Sequence, residues 1–340
     1  MRRRFLLSAP LLGAMGQPPL SGAWAAFRTR FVSPEGRVVD TGNGGISHSE
    51  GQGWAMLAAA RADDRAGFAS LWEWTRQVLR RPHDALSAWR FRPGRGVEDL
   101  NNATDGDLFI AWALLEGAAR WAEPELARQG KAVAQDVLRL LVRPAGAFRV
   151  LLPGAHGFVQ AAHTVVNPSY YAFPAIRALA RAVPDPAWLR VAADGLALLR
   201  AGRFGRWGLP PDWLALPQGG LPLPAPGWPA RFSYDAVRVP LYLGWAGMED
   251  EAAARAAAHF WSDPRHRHLP AWTDLTTDAV SPYRAMPGIG QVAGFTLRLQ
   301  GQHRMPPQAH SEADDYYSSA LSLMVLMAAE DLSVSWPAMR

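Results

Sequence analysis

Apolar residues recur at helical spacing along most of the chain. In DRAGFASLWEWTRQVLR (64–80) that spacing sets Phe68, Leu71, Trp72, Thr75, Val78 and Leu79 on one face. DGDLFIAWALLEGAARWA (105–122) does the same with Leu108, Ala111, Trp112, Leu115, Ala118 and Ala119. PELARQGKAVAQDVLRLLV (124–142) opens on Pro124, which suits a first helical turn, and is stopped by Pro144. PSYYAFPAIRALARAV (168–183) and DPAWLRVAADGLALLRAG (185–202) read as two helices meeting at Pro184. Further helices are predicted to start near Ala236, Asp250 and Glu312. Alanine is common in all of these, and it is the best helix former.

Strand signals are few. GAFRVLLPG (146–154) predicts a small β-hairpin. The stretch 202–232 is rich in Pro, Gly and Trp and too long for a plain connector, so it is expected to line a cleft. Residues 265–310 read as irregular. No shift in composition marks a boundary. The expectation is one all-α domain, residues 26–340, of antiparallel helices with long loops.

Composition changes this picture in three places. The chain has 340 residues and is 49% apolar, enough for one large core. It has no cysteine, which excludes disulfides, thiolate nucleophiles and Cys-bound metals. It has 15 tryptophans, which suit a packed core and equally a cleft that stacks flat ligands.

The first 25 residues read as a leader rather than as fold. Arg2, Arg3 and Arg4 precede a short apolar run, and Ala23-Trp24-Ala25 has the small-x-small form of a cleavage site. RRRFLL also resembles a twin-arginine export signal. A periplasmic or secreted protein is expected. Losing the leader's three arginines takes the formal net charge from +5 to +2. That balance, without any long basic run, speaks against nucleic acid as a partner. No later stretch is apolar for the ~18 residues a membrane span needs.

Three carboxylates carry the candidate chemistry. Glu50 lies in HSEGQGWAM, Asp105 in NNATDGDLFIAWALL, and Asp235 in RFSYDAVRVPLYLGW, each where a helix is predicted to begin. Taken singly, each reads as capping. Ser49 and Gln52 fit a capping box, Thr104 or Asp105 can cap the second helix, and Ser233 or Asp235 the third. Taken together they suggest acids converging at one mouth of a helical toroid. Aromatic residues accompany them: Trp54, Trp89, Phe91, Tyr170, Tyr171 and Tyr234. Sugar faces stack on such rings, and glycosidic cleavage needs a pair of carboxyl groups. His48, His156 and His163 lack metal-ligand spacing, and TGNGG (41–45) lacks the strand a phosphate loop requires. No cofactor or metal is expected.

SEGQGWAM, NNATDGDLFIAWALLEGAARW and FSYDAVRVPLYLG, in that order, resemble the three signature blocks of glycoside hydrolase family 8. FVSPEGRVVD, NPSYYAFPAI, PPDW and DDYYSSALSLMVL agree, so the resemblance spans nearly all of the mature chain. It implies an (α/α)6 barrel and an inverting endo-1,4-β-glucanase (cellulase). EGRVVD, PDW and YDAVRV resemble the branch of the family associated with bacterial cellulose synthesis. By that resemblance Glu50 is the proton donor and Asp235 the general base. Asp105 positions the sugar and is sometimes assigned as nucleophile. Arg238 orients a carboxylate, and Tyr234 contacts sugar or water. Gly51 and Gly53 are expected to leave room for the sugar, with Trp54 as a cleft wall. The implied partners are a β-1,4-glucan chain and a cellulose synthase or export complex, with the enzyme itself a monomer. Xylan, chitosan and mixed-linkage glucan stay open as substrates. A glycan-binding component that has lost turnover is the reading of another class.

Overall fold

The computed structural model describes residues 20–302 and 315–333. Its eleven described α-helices are α1 (Leu20–Phe31), α2 (Ser49–Arg61), α3 (Arg65–Val78), α4 (Thr104–Trp121), α5 (Pro124–Asp136), α6 (Phe173–Ala182), α7 (Pro186–Ala201), α8 (Arg238–Trp245), α9 (Ala252–Trp261), α10 (Pro287–Leu299) and α11 (Tyr316–Asp331). Six of them close a ring: α2 packs on α4, α4 on α6, α6 on α8, α8 on α10, α10 on α11, and α11 back on α2. Outside it, α3 lies on α2, α5 on α4, α7 on α6, and α9 on α8 and α10. This is the double ring of the expected (α/α)6 barrel.

Side-chain patterns explain which helices go inside. In α2 every residue from Gly51 to Ala60 is buried, and α8 is buried from Arg238 to Trp245. Such helices have no polar face to show to water. The outer helices α3 and α5 bury one stripe only, Phe68, Leu71, Trp74 and Thr75 in the first and Leu126, Val133 and Ala134 in the second. Asp64 caps α3 by accepting from the Gly67 N–H at 2.9 Å, and Asp185 caps α7 through the Ala187 N–H at 2.8 Å.

The strands are short. Val142–Ala145 pairs with Phe148–Leu151, so the expected hairpin begins four residues before 146. The Pro- and Gly-rich stretch holds strand Leu214–Pro217, which pairs with both His163–Val166 and Leu223–Pro224.

One expectation changes: residues 265–310, read as irregular, contain α10, whose sequence PGIGQVAGFTLRL is buried nearly throughout. The leader boundary expected after Ala25 falls within α1. Leu20 and Trp24 lie on the leader side, yet both are buried in α1. The Trp24 indole N–H donates to Asp64 Oδ2 at 2.8 Å, and Phe27 and Phe31 pack against Tyr316 of α11. The predicted start at Glu312 lies outside the described residues, and α11 runs from Tyr316.

Candidate active site

Glycines bring the first two acids together. A Cβ at Gly53 of α2 would stand 2.9 Å from Ile110 N and 3.0 Å from Gly106 O of α4. A Cβ at Gly106 would stand 2.7 Å from Glu50 N. The two helices therefore cross almost backbone to backbone, which sets Glu50 and Asp105 side by side in their first turns. Gly51 serves packing too, since a Cβ there would overlap the Tyr316 hydroxyl. The expectation that these glycines admit a sugar is thereby corrected.

None of the three acids sits in the expected cap. The N-cap of α2 is His48, whose Nδ1 accepts from the Gly51 N–H at 3.2 Å. Among the described residues Ser49 Oγ has no hydrogen-bond partner. The Gln52 amide points into the core, taking the Val38 N–H at 2.6 Å and donating to Thr75 Oγ1 at 2.8 Å. The capping box fails because Gln52 has better partners inside. Ahead of α4 the N-cap is Ala103, and the Thr104 hydroxyl donates to Leu152 O at 2.6 Å instead. Asp235 lies in a turn two residues before Val237, the N-cap of α8.

What the acids share is Arg238. Its Nη1 contacts Glu50 Oε1 and lies 3.3 Å from Asp105 Oδ2, while its Nη2 lies 2.6 Å from Asp235 Oδ1 and donates to Ser169 Oγ at 3.1 Å. The planar fork suits this role, because it offers several donors at fixed angles. Beneath it lies Trp54, its ring centroid 5.4 Å from the guanidinium carbon.

Burial sets the electrostatics. Three carboxylates around one guanidinium leave a formal excess of two negative charges, with Arg238 and Asp105 buried and Glu50 and Asp235 half-buried, so the cluster resists full ionisation. Burial pushes Asp105 up to about 7, against the opposing Gly106 N–H and the Tyr170 hydroxyl. Burial also raises Asp235, and the charges of Asp212 and Asp105 raise it further. Arg238 at 2.6 Å opposes that rise. Asn167 favours the ionised form by proximity but makes no full hydrogen bond through its amide nitrogen. Glu50 also faces His48, whose Nδ1 is 3.8 Å from Glu50 Oε2.

The aromatic residues divide. Trp54 is only 2% exposed and meets Phe109 edge-on at 6.3 Å, so it supports Arg238 rather than lining the cleft. Tyr171 is 1% exposed, and its hydroxyl accepts from the Leu151 N–H at 3.2 Å, so it is a core residue. Those two expectations are corrected. Tyr170 stays at the site, where its hydroxyl favours the ionised form of Asp105, and it lies edge-on to Trp213 at 6.3 Å. Tyr234 is 41% exposed and packs against Tyr317. Trp89 is half-buried at the entrance to α2. Its carbonyl accepts from the Ser49 N–H at 3.1 Å, and its indole donates to Asp99 at 2.8 Å.

Sequence reading missed a run of stacked rings. Trp213 lies parallel to Phe158 at 5.8 Å and to Trp228 at 5.2 Å, extending from Tyr170 away from the acids. Half-buried tryptophans in a Pro-rich loop were the available signal. Asn167, Ser169 and His48 were also missed as neighbours of the acids.

The chain matches the family model described as Glycosyl hydrolases family 8 over residues 11–331. It is 47% identical over 323 residues to a probable endoglucanase of Novacetimonas hansenii, covering 93% of each chain. It is 41% identical to an endoglucanase of Cellulomonas uda, over 81% of this chain and 77% of that one. The solved structure of endo-beta-1,4-glucanase CMCax from Acetobacter xylinum matches with a TM-score of 0.86 and 45% identity, over 92% of this chain and 98% of that one. With all three acid-bearing blocks inside the matched span, this chain belongs to glycosyl hydrolase family 8.

Proposed function

We propose that this protein is an endo-1,4-β-glucanase that cleaves cellulose chains internally with inversion. The observation that carries the reading is the convergence of Glu50, Asp105 and Asp235 on one buried guanidinium. Glu50, protonated, gives its proton to the glycosidic oxygen as the bond from that oxygen to the anomeric carbon breaks. Asp235, ionised, takes a proton from a water whose oxygen bonds that carbon from the opposite face. Inversion needs the two carboxyl groups ~6.5–9.5 Å apart so that the water fits. Glu50 and Asp235 contact different nitrogens of Arg238.

Asp105 makes no covalent bond in this scheme. It holds the sugar at the cleavage point and supplies the negative field that helps Glu50 keep its proton. That help is needed, because the N-terminus of α2 and the Arg238 guanidinium both favour the ionised form. The exposed ring of Tyr234 offers a face for a glucose unit, and the stack of Phe158, Trp213 and Trp228 beside Tyr170 builds an aromatic wall next to the acids. The basic leader adds export to the periplasm or beyond. The resemblance of EGRVVD, PDW and YDAVRV to the branch associated with bacterial cellulose synthesis supports a role in making or exporting cellulose beside a synthase, and we take the enzyme to act as a monomer.

The test is release of reducing ends from carboxymethylcellulose, with product anomers followed by NMR. Glu50→Gln and Asp235→Asn should each lose about 10²–10⁴-fold in kcat. Near-normal turnover in both, or retained anomeric configuration, would defeat the assignment.

A further inference from the structure

We infer that Asp212 is a positioning residue for Asp235, holding the turn that carries it. The inference rests on the reading of Asp235 as the general base.

The turn before α8 has backbone N–H groups that no regular ladder satisfies, and buried groups of this kind need acceptors. Asp212 supplies them. Its Oδ1 accepts from the Ser233 N–H at 3.0 Å and from the Ala236 N–H at 2.8 Å. Its Oδ2 accepts from the Ser233 hydroxyl. Its own N–H donates to Arg231 O at 2.7 Å. One residue thus ties down the chain on both sides of Asp235, from 231 to 236. Both of its oxygens are occupied by this turn, so it acts through the turn and not on the sugar.

The same carboxylate acts through charge. Burial pushes Asp212 up as well, and where it is ionised its charge is one of two that raise Asp235, the other being that of Asp105 of α4. Arg238 faces Asp235 from α8, and Glu50 of α2 reaches the same guanidinium. Tyr170 and Tyr317 of α11 sense the charge of Asp235 from two further sides. Within this ring Asp212 alone both anchors the backbone of the base and repels its charge. It also precedes Trp213, so the segment 210–213 links the base to the stacked rings.

Three variants separate these roles on a neutral soluble substrate such as cellopentaose. Asp212→Asn keeps an acceptor for the Ser233 and Ala236 N–H groups while removing the charge. Its kcat at the optimum should stay within about threefold. The acidic limb of its kcat/KM profile should move down by on the order of one pH unit, because a base relieved of a like charge ionises earlier. Asp212→Ala removes the anchor as well. It should lose about tenfold or more in kcat with KM changed less than about threefold, since the water is then held out of line. Recovery of kcat from Ala to Asn is the signature of anchoring. An unmoved acidic limb in a folded Asp212→Asn protein overturns the inference, as does an Asp212→Ala enzyme with wild-type kcat. If Asp212→Ala does not fold, the limb shift in Asp212→Asn decides alone. Asp235→Asn serves as the control. If it stays active, the general-base reading itself has failed, which is a different result.

Discussion

Gly53 and Gly106 face each other where α2 crosses α4, and a Cβ on the first would lie 3.0 Å from the carbonyl oxygen of the second. This close crossing is what brings Glu50 next to Asp105, since each acid lies within three residues of its glycine. A methyl group at 106 would meet Glu50 N at 2.7 Å and Ser49 C at the same distance. Backbone cannot yield as a side-chain tip can. Gly106→Ala should therefore cost about 1–3 kcal/mol of stability, as overpacking does. It should cost proportionally more in kcat, because the helices separate at the acids. Thermal unfolding with kinetics on the folded fraction checks this. A variant with wild-type kcat would show that the crossing does not set the acid geometry.

Arg238 is the single cation shared by Glu50, Asp105 and Asp235. A lysine keeps the charge but has one compact ammonium in place of a fork, so it cannot hold three carboxylates and Ser169 at once. Arg238→Lys should fold and lose about 10–100-fold in kcat, the scale expected for reacting groups misplaced by an ångström. Arg238→Ala leaves the acids without a counter-charge and should cost about 3–5 kcal/mol of stability. If Arg238→Lys keeps kcat within about twofold, the fork is not required.

Asp105 offers a test through pH. Burial raises it from its ordinary carboxylate value to about 7. The folded state then binds a proton there that the unfolded chain has lost, from about pH 4 to about pH 7. Unfolding over that window takes up no proton at this site and releases one, so rising pH lowers stability through Asp105. Asp105→Asn removes the effect. Its stability relative to wild type should increase from pH 4.5 to pH 7.5, as read from urea midpoints. Above about pH 7, where Asp105 is ionised, its charge opposes that of Glu50, so Asp105→Asn should lower a basic limb that lies in that range. A basic limb at its wild-type position would show that Asp105 does not act on Glu50.

The sequence made the outer helices most directly legible, because polar residues fill the exposed faces of α3 and α5 beside their apolar stripes. α4 and α10 are both buried nearly throughout; α4 is rich in alanine and leucine, whereas α10 carries three glycines, which weaken a helical reading. The three acids were legible through their recurring small and polar neighbours, and those neighbours were misread as caps. The reason is physical. Gln52, Thr104 and Ser233 each found a partner distant in sequence, respectively Val38, Leu152 and Asp212, and such contacts leave no local trace. Trp54 and Tyr171 were assigned to the cleft because an aromatic residue beside an acid looks the same whether it points outward or inward.

The placement of α1 makes a prediction about the N-terminus. Cleavage after Ala25 would remove Leu20 and Trp24, both buried, and with them the indole bond to Asp64. Asp64 also caps α3 and pairs with Arg28 at 2.8 Å, so the loss reaches the start of a second helix. Truncating a buried tryptophan costs about 3–5 kcal/mol. A chain beginning at Ala26 should melt well below one beginning at Leu20, and Trp24→Ala in the longer chain should reproduce most of the drop. kcat at low temperature should be nearly the same in all three, because the residues lost touch none of Glu50, Asp105, Asp235 or Arg238. If the proposed export removes a leader, the stable chain should start at or before Leu20, which its intact mass would reveal. An N-terminus at Ala26 with undiminished thermal stability would mean that Leu20 and Trp24 contribute nothing to the fold.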